Sequence, residues 1–234
     1  CNEWSFALYR ERPVLTPSGV RGMGLLRHDE AFRSCSELGL PAEAVVFLGY
    51  PDFGTHAIWK EHWGDAPPAR GLLTRATSVP YANALRPGAP FKGEEILRDL
   101  EQVLGDFRPT RVFLSHPADH NPDHRALYLF ARVALWNLEA RIRPALHPYM
   151  VHFPRWPVPR GRHPDTALAP PEAMQGQLKW TAVPLSAADV GRKEAALRCH
   201  RTQLRYAAGY LESFIRPNEL FGDFDPVRPS GAGS

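Results

Sequence analysis

The chain has 234 residues, 44% of them hydrophobic and 23% charged, with a formal net charge of only +3. One ordinary globular domain is expected, and a disordered chain is excluded. No run of five or six basic residues marks a nucleic-acid surface, and no apolar stretch approaches the roughly 20 residues needed to span a bilayer. The three cysteines, Cys1, Cys35 and Cys199, are distant from one another and odd in number. They argue against a disulfide framework or a cysteine zinc site, and for a reducing, cytoplasmic setting. No signal segment opens the chain.

Residues 1–20 show no clean period, and the chain starts at Cys1 without a Met, so residues upstream are expected to be missing. Helix formers dominate from Gly24 to Leu38, and Gly39 with Pro41 punctuate the end. "AVVFLGYPD", residues 44–52, reads as a buried strand of the parallel type. Residues 55–90 mix aromatics, Pro and Gly, and predict loop with a short helix. "GEEILRDLEQVLGDF", residues 93–107, is the next helix.

"TRVFLS", residues 110–115, is a second buried strand. The strongest helix signal follows at 121–143. Asn121 suits the N-cap, Pro122 the first helical position, and Asp123 the positive end of the helix. Eight of the 24 prolines fall between Pro144 and Pro171, so that segment should be mostly irregular. Within it "YMVHFP", residues 149–154, predicts a third strand. A last helix is expected over residues 186–206, capped by Ser186, and a frayed tail over 223–234.

Strands alternating with helices predict an α/β fold, Rossmann-like, with an open, mostly parallel sheet and helices on both faces. Ligands in such sheets sit at the carboxyl ends of strands. Asp52 and the stretch "SHPADHNPDHRALYLF", residues 115–130, each follow directly on a predicted strand. A lone histidine at a helix start is usually just a polar terminal residue. Here His116, His120 and His124 stand four apart with Asp119 and Asp123 between them, which points to metal or acid–base chemistry.

"HNPDHRAL" after "RVFLSHP" resembles the second signature of the PIG-L/LmbE-type zinc-dependent N-acetyl-sugar deacetylases. "RHDEAFRSCSELGL" with "VVFLGYPDFG" is similar to that family's Arg-x-x-Glu helix and Leu-Gly-x-x-Asp strand end. "YMVHFPRWPVPRG" and "KEAALRCHRTQL" resemble the C-terminal part of its longer bacterial members. The likeness spans most of residues 20–222, taken as one domain over 1–222. It implies hydrolysis of an N-acetyl amide on an N-acetylglucosamine-type sugar or glycoconjugate, with zinc as cofactor. It implies a zinc ligand at His124, catalytic roles for Asp123, His120 and Asn121, and substrate contacts from Arg27, Asp52 and His152.

Two departures stand out. The family's His-Pro-Asp-Asp-Glu segment, which supplies two further zinc ligands and a general base, occurs nowhere in the chain. "HPDT", from His163, lacks a preceding strand and reads as coincidence. The chain as written is therefore expected to hold zinc weakly and to be inactive. Asn121 stands where the family often carries a histidine; an amide can steady an oxyanion but cannot deliver a proton at neutral pH. His120 or His116 is then the candidate acid. The rival reading is a non-catalytic glycan-binding or degenerate homologue without the metal. The expected partner in either case is a small-molecule or glycan substrate, with no nucleic acid and no membrane span.

Overall fold

The computed structural model describes residues 15–223; residues 1–14, and from 224 onward the expected tail, lie outside them. Helix α1, Pro17–Glu37, starts seven residues before its expected Gly24 because Thr16 caps it. The Thr16 hydroxyl accepts from Gly19 N–H at 3.1 Å, and Pro17 opens the first turn. Helix α2 is Thr55–Glu61, and α3 is Gly93–Phe107, closed by Arg108 in the left-handed conformation. Strand β1, Arg111–Ser115, leads into α4, Pro122–Asn137, whose cap is Asn121. Strand β2 is Ala145–Tyr149 and β3 is Lys179–Pro184. Helix α5, Ala187–Arg198, begins with a Ser186–Asp189 capping box. Helix α6, Arg201–Leu211, and strand β4, Asn218–Asp223, complete the order.

The fold is α/β with an open four-stranded sheet in the order β1-β2-β4-β3. The sheet is mixed: β1 and β2 are parallel, while β4 runs antiparallel to both β2 and β3. Helix α4 covers β1 and packs in turn against α2 and α3. Ile58, Phe91, Ile96, Ala126 and Phe130 form the core beneath those helices, with Trp59 and Trp63 against it. A second cluster of Met150, Trp156, Leu168, Met174 and Leu220 lies under the proline-rich segment. No helix among the described residues is long and apolar enough to cross a membrane.

Four local expectations need correction. Residues 45–50 form no strand. Phe47 turns onto His28 and Phe32 of α1, its carbonyl accepts from Leu85 N–H, and Val46 is 46% exposed. β-branched residues supply the shape of a strand, but without an adjacent edge they make no ladder. The third strand lies at 145–149 rather than 149–154, because the parallel register pairs Arg111 with Ala145 and Ser115 with Tyr149. The last helix breaks between Arg198 and Arg201, and α6 is kinked at Ala207. The antiparallel pair β3–β4 carried no sequence signal that we recognised, since Pro184 and Gly222 interrupt its pattern.

Candidate active site

The parallel pairing of β1 and β2 decides where the histidines go. Beyond Ser115 and Tyr149 the ladder continues for one bond, from His116 N–H to the Tyr149 carbonyl at 2.8 Å. The two chains then leave the sheet side by side, and His120 N–H donates to the His152 carbonyl at 2.8 Å. The loop 116–121 and the segment 150–153 are thus one structural unit at the carboxyl ends of the strands.

Asp119 sits at its centre, 1% exposed. One carboxylate oxygen accepts from Asn121 N–H at 2.9 Å; the other accepts from Val151 N–H at 2.9 Å and His152 N–H at 2.8 Å. His124 Nδ1 lies 3.3 Å from that second oxygen, a charge contact outside hydrogen-bond geometry. Burial alone pushes the Asp119 carboxyl up, but His124 and the three amides together outweigh it and hold it at about 2. Asp119 is therefore a buried anion beneath two imidazoles, since the His124 and His152 rings lie 4.8 Å apart.

His152 is held at its other edge by Tyr210, whose hydroxyl lies 3.1 Å from Nδ1. Burial, and then the neighbouring His124, lower its basicity against the pull of Asp119. His116 is fully buried, and its Nδ1 accepts from Ala118 N–H at 3.0 Å. Burial lowers it to about 4, opposed by Asp119, so it stays neutral at pH 7. His120 is exposed, edge-on to Phe153 at 5.2 Å, and lines a groove of about 970 Å³ with Trp156, Val158, Pro170 and Glu172.

Asn121 is the cap it was expected to be: its side-chain oxygen accepts from Asp123 N–H at 2.9 Å. The resemblance gives Asp123 a catalytic role; in the structure it is Asp119 that faces His124. The Asp123 carboxylate instead accepts from Phe53 N–H, from Thr55 N–H at 3.0 Å and from the Thr55 hydroxyl at 2.7 Å. It caps α2, whose own cap Gly54 has no side chain to do so, and fastens the 53–55 turn to α4. Asp52 is thereby brought beside Asp123. The residue as a whole is open to solvent while its carboxyl is crowded. That crowding, then the Asp123 charge, pushes it up to about 6.

Arg27 and Asp52 line one cavity of about 200 Å³ together with Tyr50, Pro51 and Tyr81. Arg27 is anchored to α6 through the Thr202 hydroxyl at 3.2 Å and the Tyr206 hydroxyl at 3.3 Å. Glu30 is buried and accepts from Thr202 N–H and hydroxyl. Trp59 and Trp63 pack on Phe130 in the core. His163 gives its ring nitrogen to the Arg160 carbonyl at 2.9 Å, clear of the histidine unit.

Residues 9–135 match the family described as GlcNAc-PI de-N-acetylase, PIG-L. The chain belongs to this family. No curated protein and no solved structure matches it. PIG-L membership carries a de-N-acetylase-like hydrolase function of the GlcNAc type. The matched span holds Arg27, Asp52, Asp119, Asp123 and His124, whereas His152 and Tyr210 lie beyond it. Among the described residues no three His, Cys, Asp or Glu side chains converge so as to hold a metal ion. The donors described here therefore do not make a zinc site by themselves.

Sequence reasoning passed over two residues. Asp119 stood within the histidine stretch without a role, although a carboxylate five residues before His124 can reach back under a helix start. Tyr210 is 58 residues from His152, and nothing local marked it.

Proposed function

We propose that this protein hydrolyses the acetamide of an N-acetylglucosamine-type sugar, releasing acetate and the amino sugar. The observation that carries this reading is the buried Asp119 carboxylate beneath His124 and His152, at the strand ends where α/β sheets bind ligands. A fixed anion beside a neutral imidazole stabilises the imidazolium as it forms, which is the task of a carboxylate in a hydrolytic site. His152, kept neutral near pH 7, takes the proton of the attacking water. The Asn121 side-chain N–H₂ remains available after its oxygen caps α4, and steadies the oxyanion. His120, exposed beside the His152 segment, gives a proton to the leaving amine. Arg27 and Asp52 hold the sugar hydroxyls in their shared cavity.

Zinc belongs to this proposal as a partner of His124, although no three donors converge on it among the described residues. The test is acetate release from N-acetylglucosaminides by the full-length protein, for the wild type and for His120→Gln. Turnover should fall by about 10²–10⁴-fold in the variant, the usual loss of a general acid. No acetate from any acetamido sugar, together with retained sugar binding, would establish the glycan-binding rival instead.

A further inference from the structure

We infer that Tyr210 is a positioning residue that fixes the tautomer of His152, placing its proton on Nδ1 and its lone pair on Nε2. A tyrosine hydroxyl has one proton to give. Here it goes to the Val151 carbonyl at 2.6 Å. His152 Nδ1 lies 3.1 Å from the same oxygen, so the contact is satisfied only if the ring nitrogen donates and the hydroxyl oxygen accepts. In the neutral ring this leaves Nε2 as the acceptor nitrogen.

The arrangement is built to be rigid. The Tyr210 and His152 rings are stacked 11° from parallel at 5.9 Å. Phe214 meets the Tyr210 ring edge-on at 5.6 Å, and the Arg160 guanidinium lies 4.7 Å from its centre. On the other side, His152 N–H is tied to Asp119 and its carbonyl to His120 N–H. Backbone and ring are therefore both pinned, and the only choice left to the imidazole is which nitrogen carries the proton. Tyr210 makes that choice from α6, far from the histidine stretch in sequence. The catalytic use of the Nε2 lone pair, to accept the proton of water, rests on the deacetylase reading; the tautomer itself does not.

The decisive experiment is a long-range proton–nitrogen correlation spectrum of the protein labelled with ¹⁵N at histidine. His152 is assigned by its disappearance in His152→Gln. The proton should sit on Nδ1 in the wild type. Tyr210→Phe keeps the ring and its stacking but removes the hydroxyl, and should move His152 to a majority with the proton on Nε2, the form preferred by free imidazole side chains. In the deacetylation assay the same variant should lower kcat by about 10–100-fold with KM unchanged. A wild-type spectrum with the proton on Nε2, or an unchanged His152 signal in Tyr210→Phe, overturns the assignment without any variant needing to be active. Absence of deacetylation with the Nδ1 tautomer present overturns only the proposed reaction.

Discussion

Asp119 and Asp52 both belong to the candidate site, and their carboxyls are driven in opposite directions. Asp119 is the more buried, yet it is held at about 2, while the open Asp52 is pushed up to about 6. Burial raises both. At Asp119 three backbone N–H groups and the nearby His124 overcome burial, whereas at Asp52 the like charge of Asp123 adds to it. One has become a permanent anion that organises two imidazoles. The other is pushed up toward neutrality by burial and by Asp123.

The strongest way to break this contrast is Asp119→Ala. It strands three half-buried amides that its carboxylate now satisfies, and should cost about 3–5 kcal/mol of stability. Urea unfolding would measure it, and a loss below about 1 kcal/mol would mean the knot is not what orders the loop. A smaller, sharper test is the acid limb of stability. His116, with a folded pKa of about 4, loses stability as pH falls from about 6.5 to 4, because only the unfolded chain takes up its proton there. That step is worth roughly 3 kcal/mol. Asp119 then adds about 2–3 kcal/mol of loss between pH 4 and 2, where again the unfolded chain protonates first. His116→Phe should flatten the upper window and leave the lower one; a flattened lower window would assign the titration wrongly.

Asp123→Asn is the mildest change. It keeps much of the hydrogen bonding to the 53–55 turn and should cost about 1 kcal/mol, comparable to a weakened helix cap. Removing the charge should also lower the Asp52 midpoint part of the way toward the ordinary carboxylate value, since crowding, its larger cause, remains. Carbon-detected titration of Asp52 would show it. An unmoved midpoint would leave crowding as the whole cause.

Much of the site was legible in one stretch of sequence. His116 to His124 follows an apolar run, and Asn121-Pro122-Asp123 writes a helix start in residues whose preferences are local. Such signals survive because capping and the alternation of buried strands depend only on near neighbours. The partnership of Asp119 with His152 was not legible, since it exists only because β1 and β2 pair in one parallel register. Asp123 shows the same limit: its residue type suited a histidine's partner, and a turn 68 residues away claimed it.

The sequence by itself determined the α/β class, the family, the capped helix α4 and the cluster of imidazoles at a strand end, because each rests on short-range pattern. The tertiary structure alone decided that residues 45–50 pair with no strand and that β3 and β4 run antiparallel. It alone decided which carboxylate serves the histidines and which nitrogen of His152 Tyr210 holds. Hydrogen bonds of that kind depend on distances between segments tens of residues apart, and those distances are set only when the core closes.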